Sequence, residues 1–70
     1  MHAYIVRTRE GYLYPFAGDV SLTSDPTQAG HFLSTDEACE VAASRGYYDG
    51  HFDVLRVEID ESHLNRGWSQ

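Results

Sequence analysis

Lysine is absent from this chain of 70 residues, and five arginines face eleven aspartates and glutamates. The formal net charge is therefore −6. Proteins that bind nucleic acid or anionic lipid neutralise phosphates with Lys and Arg, so this balance argues against direct binding to either. The missing lysine also excludes catalysis through a lysine Schiff base or a lysine general base.

Cysteine is nearly absent too. Cys39 is the only one, so no internal disulfide can form. It lies between Glu37 and Glu40, whose negative charge disfavours a thiolate, and we expect it to be a small buried hydrophobe rather than a nucleophile. A domain of this size buries only about 60% of the surface of its unfolded chain, so its stability must come from a compact core or from self-association.

Long apolar runs are missing as well. The N-terminal run covers residues 3–6 and ends at Arg7. A secretory signal needs about 7–15 apolar residues and a membrane span about 18 or more. We therefore expect a cytoplasmic protein with one domain over residues 1–70, whose residues from about 61 to 70 form a polar tail.

The N-terminal pattern predicts a β-hairpin at residues 3–15. Residues 3–9 are rich in β-branched and aromatic side chains, Glu10-Gly11 suits a tight turn, and residues 12–14 would return as the second strand. Pro15 cannot donate a ladder hydrogen bond, so the second strand should end there or lie at a sheet edge.

The middle of the chain predicts one helix. Ser34 followed by Glu37 fits a capping box, and the helix should run from Thr35 to Arg45 with Gly46 as its stop. Its apolar residues are small and should lie against a sheet: Ala38, Val41, Ala42 and Ala43. Before the helix, residues 20–23 fit a short strand, residues 24–26 begin a helical turn that ends at Gly30, and residues 31–33 are extended.

The last strand is predicted over residues 52–60, where Leu55, Val57 and Ile59 alternate with more polar positions and indicate one buried and one wet face. The element order is then β-β-(short elements)-α-β. We predict an α+β fold in which a three- to four-stranded antiparallel sheet is packed by one α-helix.

One group of residues has metal-ligand chemistry. If the last strand begins early, Asp49, His51 and Asp53 share a face and could hold a divalent metal. Asp49-Gly50 is, however, an ordinary turn pair, and no cysteine cluster or helical ligand pair reinforces the site. With no nucleophile elbow and no glycine-rich phosphate loop, we predict no metal, no cofactor, no catalytic residue and no enzyme activity.

Tyrosines beside carboxylates suit a protein interface, because the ring supplies area and the hydroxyl a polar contact. Tyr47 and Tyr48 follow the helix, and at least one of them should be exposed. The alternative is that tyrosines build the core and that acidity serves only solubility. The predicted partner-binding residues are Asp36, Glu37, Glu40, Tyr47, Tyr48, Asp49, Asp53, Glu58 and Asp60.

A set of residues between positions 4 and 38, about half of the chain, resembles small accessory proteins encoded by bacteriophages and other mobile elements. The residues are Tyr4-Ile5-Val6-Arg7, Gly11-Tyr12-Leu13, Leu22-Thr23, Asp25, Ala29-Gly30-His31-Phe32, Ser34 and Glu37-Ala38. Anti-CRISPR inhibitors are a prominent group among such proteins. The resemblance implies a phage protein that acts in the cytoplasm of the host bacterium, and it carries no functional motif from one protein to another.

Two functions follow as hypotheses. In the first, the chain is a non-enzymatic anti-CRISPR-type inhibitor and DNA mimic, whose carboxylates replace phosphates on the basic nucleic-acid-binding or recruitment surface of a CRISPR effector subunit. In the second, it is a small structural or accessory module that forms a homodimer through an exposed sheet edge or the narrow helix face. The sequence leaves monomer and homodimer open.

Overall fold

The computed structural model describes residues 1–16, 19–48 and 50–67. These residues form a four-stranded sheet and one α-helix, with two 3-10 turns at Pro26–Gln28 and Glu61–His63. All strand pairs are antiparallel and the order is β3-β2-β1-β4. The predicted α+β fold is confirmed. Its elements are β1 (His2–Thr8), β2 (Gly11–Phe16), β3 (Asp19–Thr23), α1 (Thr35–Ser44) and β4 (Phe52–Glu58).

The N-terminal hairpin is confirmed. Thr8 pairs with Gly11 across a turn made by Arg9 and Glu10. The Thr8 hydroxyl donates to the Gly11 carbonyl at 2.9 Å and accepts from the Glu10 amide at 3.1 Å, which fixes the turn. Gly11 has a φ of 139°.

Beyond this turn, β1 and β2 separate and residues 30–32 lie between them. Tyr4 and Phe32 exchange two backbone hydrogen bonds of 2.9 and 2.8 Å, while the Gly30 amide donates to the Leu13 carbonyl at 2.9 Å. The segment after the first 3-10 turn thus fills the gap in the sheet and carries the fully buried Phe32 into the core.

Pro15 corrects one prediction. β2 continues through Pro15 to Phe16 and is an inner strand, since it lies between β1 and β3. The Leu13 carbonyl accepts from the Gly30 amide, on the side of β2 away from β3. Pro15 is two residues further along the strand, so its backbone is directed to the same side. The β2–β3 ladder therefore needs no amide from Pro15, and the proline is tolerated inside the strand.

The predicted Ser34 cap and Gly46 stop of α1 are confirmed, although the Glu37 carboxylate accepts from the Leu33 amide and not from the Ser34 amide of a standard capping box. The Glu37 amide donates to the Ser34 hydroxyl at 3.1 Å, and the Glu37 carboxylate accepts from the Leu33 amide at 3.2 Å. At the other end the amides of Gly46 and Tyr47 donate to Ala43 and Ala42, which is a Schellman motif with Gly46 at φ 87°.

The helix packs through a narrower stripe than predicted. Ala38 and Ala42 are buried against Val6, Leu13 and Phe32. Ala43 and Cys39 are exposed, so the prediction of a buried Cys39 is wrong. Successive helical residues turn by about 100°, and residues one position after Ala38 and Ala42 point away from the sheet.

β4 corrects another prediction, because it has no fully buried face. Phe52 and Val54 pack against the core under α1. Leu55, Val57 and Ile59, predicted as the buried set, are only half-buried on the opposite side of the sheet. Both faces of this strand carry apolar side chains, and the helix covers the one that the sequence pattern assigned to solvent.

The predicted polar tail folds back over residues 61–67. The His31 amide donates to the Asn65 carbonyl at 2.8 Å, and the Asn65 amide donates to His31 Nδ1, also at 2.8 Å. The Asn65 side chain donates to the Gln28 carbonyl at 3.0 Å. Trp68 lies outside the described residues. No helix in the described ranges has the length and hydrophobicity to cross a bilayer.

Candidate functional site

The predicted partner-binding residues are distributed over several elements and do not form one patch. Asp36 and Glu40 lie on the outer side of α1, and Tyr47 and Tyr48 follow its end. Asp53 and Glu58 are on opposite faces of β4, because their positions differ by an odd number. Asp60 follows β4 and precedes the second 3-10 turn. Asp49 lies outside the described residues.

Asp36 and Glu40 form the acidic surface of the helix. They are one turn apart and both are exposed. Asp36 is also in the first turn of α1, where negative charge is stabilised by the helix dipole. Neither makes an ion pair with any described residue, so their charge is available to a ligand.

Glu37 is used inside the molecule instead. Its two carboxylate oxygens accept from Arg66 at 2.5 and 3.1 Å. The hydrogen bond from Arg66 lowers the pKa of Glu37, the Leu33 amide and the charge of Arg66 add to this, and burial opposes it. Arg66 also donates to the His31 carbonyl at 3.1 Å, so this pair attaches the C-terminal segment to the start of α1.

Two further arginines are held in the same manner. Arg7 contacts Asp53 at 3.1 Å across the β1–β4 pair, and Arg45 at the end of α1 contacts Asp19 at 3.2 Å. These pairs are exposed and stabilise the fold little. Their main effect is on the electrostatic potential at the surface. Together with the Arg66–Glu37 pair, they neutralise three of the five arginines locally.

Glu58 pairs with the ring of His2 on the neighbouring strand. The guanidinium of Arg56 lies 3.1 Å from His2 Nε2. His2, Arg56 and Glu58 therefore form a charged group at the outer end of β1 and β4, on the helix side of the sheet.

The two tyrosines divide as predicted, with one of them exposed. Tyr48 is 75% exposed, and its ring contacts the His51 ring edge-on at a centroid distance of 6.3 Å. Tyr47 is half-buried and packs against the core. Only Tyr48 is thus largely available for an external contact.

His51 and Asp53, two of the three residues with metal-ligand spacing, line a cleft of about 410 Å³ beside the β1–β2 turn. Arg7 and Arg9 line the same cleft. Because the Arg7 guanidinium donates to the Asp53 carboxylate, a metal there would have to displace it and would also lie near the cationic side chain of Arg9. Among the described residues no group of three His, Cys, Asp or Glu side chains is arranged to hold a metal.

A groove on the sheet face opposite α1 was not predicted. It has a volume of about 390 Å³ and is lined by Ile5, Pro26, Thr27, His31, Val57, Ile59 and His63. Burial lowers the pKa of His31. The sequence of β4 could have predicted this groove, because apolar residues at both even and odd positions indicate that the strand has an apolar surface on each face.

No family model, no curated protein and no solved structure with which the chain was compared matches it. The function is therefore inferred from the residues of this chain alone.

Proposed function

We propose that this protein acts without catalysis, by binding a basic surface of another protein and blocking it. The resemblance to small phage-encoded proteins suggests a CRISPR effector complex as the partner, with its nucleic-acid channel or recruitment surface as the target of an anti-CRISPR-type inhibitor. The observation that supports the proposal is the placement of the arginines.

Three of the five arginines are in intramolecular ion pairs with carboxylates, and a fourth, Arg56, lies against His2. The three arginines in ion pairs are thereby neutralised locally, whereas Arg56 keeps its charge and shares its contact to His2 with Glu58. Exposed carboxylates of the predicted binding set remain on α1, at Asp36 and Glu40, and after β4, at Asp60. A surface with this balance attracts a basic protein and repels nucleic acid.

The test uses purified CRISPR effector complexes and measures their binding to target DNA with and without the chain. We expect the chain to prevent DNA binding, and we expect its affinity for the complex to fall as salt rises, because both partners are charged. Neutralising the helix surface with Asp36→Asn and Glu40→Gln should weaken binding about tenfold, the effect of losing two exposed charge contacts.

The matched control removes two exposed carboxylates elsewhere, with Glu10→Gln in the β1–β2 turn and Glu61→Gln in the second 3-10 turn. It has the same net charge as the helix variant and should keep nearly full affinity. Two results would contradict the proposal: an affinity that a several-fold rise in salt leaves unchanged, or direct binding of DNA or RNA by the purified chain.

A further inference from the structure

β4 is an outer strand of the sheet. It pairs with β1 on one side, and no segment among residues 1–16, 19–48 and 50–67 pairs with its other side. An edge strand of seven residues with unpaired amides and carbonyls is a template for a further strand.

The register defines which backbone groups are available. Met1 and Ile59 exchange two hydrogen bonds of 2.8 and 3.0 Å. Hydrogen-bonded pairs alternate in an antiparallel ladder, so Val57 and Leu55 also direct their backbone groups toward β1. Arg56 and Glu58 then direct their amides and carbonyls away from the sheet.

We propose that a second copy of this chain pairs with this edge. The two β4 strands run antiparallel about a two-fold axis at Val57, and the two sheets join into one of eight strands. Arg56 of each copy lies opposite Glu58 of the other, and these residues exchange four backbone hydrogen bonds. This proposal is independent of the inhibitor function, since the carboxylates of α1 are not part of the interface.

Charge complementarity selects this register. Opposite charges directly across an antiparallel pair stabilise it and like charges destabilise it. Centring the axis on Arg56 places Arg56 opposite Arg56. Centring it on Glu58 pairs Arg56 with Asp60, beyond the end of β4, but places Glu58 opposite Glu58. Centring it on Val54 or on Leu55 places Arg56 opposite an apolar side chain. With Val57 at the axis, both arginines face glutamates.

The other face of β4 is complementary in the same register. Val57 lies opposite Val57 of the second copy, and Leu55 lies opposite Ile59. These three side chains are half-buried in the single chain, and Val57 and Ile59 line the groove opposite α1. The pairing therefore buries apolar surface that the fold leaves partly open, and it brings the two grooves side by side.

The first experiment is charge exchange, read by sedimentation velocity of the full chain over a range of concentrations. Arg56→Glu alone and Glu58→Arg alone each place like charges opposite each other twice, and each should weaken the dimer about tenfold or more. The double variant Arg56→Glu with Glu58→Arg restores opposite pairs and should restore the dimer. Arg9→Glu, an exposed reversal in the β1–β2 turn, is the control and should leave it unchanged.

The second experiment tests the position of the axis. In a Cys39→Ala background, Val57→Cys should form an intermolecular disulfide on mild oxidation, because directly opposite residues of a non-hydrogen-bonded pair have close Cβ atoms. Ser21→Cys on β3, the other edge strand, should not.

Circular dichroism of each variant is the check that it is folded. A wild-type chain that stays monomeric at millimolar concentration would overturn the proposal. So would a dimer that both single reversals leave intact, or a dimer that Val57→Cys does not cross-link.

Discussion

Gly11 is the residue where backbone conformation and packing together restrict the side chain. Its φ of 139° is unfavourable for any residue with a Cβ, and a Cβ built there would lie 2.7 Å from the Thr23 carbonyl oxygen. Gly11→Ala should therefore lower the free energy of unfolding by about 3 kcal/mol, from backbone strain and overpacking combined. Chemical denaturation measures the change.

Gly46→Ala is the matched control for this effect. Gly46 also has a positive φ, 87°, but no atom lies within 4 Å of a Cβ built on it. Gly46→Ala should therefore lower the free energy of unfolding only through backbone strain, by about 1–2 kcal/mol. Equal losses in the two variants would contradict the close approach between Gly11 and β3.

At the scale of single residues, the sequence predicts the local role of a side chain better than it predicts which distant residue that side chain contacts. The capping role of Glu37 followed from Ser34 three residues earlier, which is a local signal. Its ion pair with Arg66 is separated by 29 positions and depends on the return of the chain. Cys39 was placed on the wrong side of α1 because its burial depends on a shift of one position along the helix.

At the scale of elements, His31 connects the segment between β1 and β2 to the C-terminal residues. Its ring accepts from the Asn65 amide through Nδ1, which requires that nitrogen to be unprotonated. Burial lowers the pKa of His31 below the ordinary value of 6.5 that it regains on unfolding. Its contribution to stability is thus complete above about pH 6.5 and is lost as the pH falls through the folded pKa.

His31→Asn tests this contribution, because the amide oxygen of asparagine can accept a hydrogen bond near the position of Nδ1 and does not titrate. We expect the wild-type chain to lose stability relative to the variant between pH 7 and pH 5. Amide exchange should show the protection of Asn65 falling over the same interval in the wild type only. Parallel pH curves for the two proteins would contradict the role of His31.

Elements with local signals were predicted well, and those that depend on distant contacts were not. The hairpin and both ends of α1 follow from turn and cap residues close in sequence. The insertion of residues 30–32 between β1 and β2 depends on where those strands separate, for which the sequence has no local signal. The sequence pattern could not identify which face of β4 the helix covers, because both faces carry apolar side chains. Tertiary packing determines which one is covered.

The same limit applies to the candidate site. Sequence reasoning found the exposed carboxylates and Tyr48, but it did not find which carboxylates are paired. Asp53 and Glu58 share one short strand, yet the first is held by Arg7 and the second by His2. Those contacts are set by the register of β1 against β4, and the register appears only in the folded sheet.

At the scale of the whole molecule, small size makes association and stability inseparable. A domain of 70 residues has a thin stability margin. If two copies pair through β4, the native state is stabilised by mass action and the unfolded state is not. The melting temperature should then rise with protein concentration above the dissociation constant, by roughly 3–6 °C for each tenfold increase.

The Arg56→Glu variant isolates this effect, because it disfavours pairing and leaves the core residues unchanged. The rise of its melting temperature should begin at a protein concentration about tenfold or more above that of the wild type, whereas the double variant with Glu58→Arg should behave as the wild type does. Calorimetry over a hundredfold concentration range provides the comparison. A wild-type melting temperature that is constant over this range would mean that the chain is stable alone, with the edge of β4 unpaired.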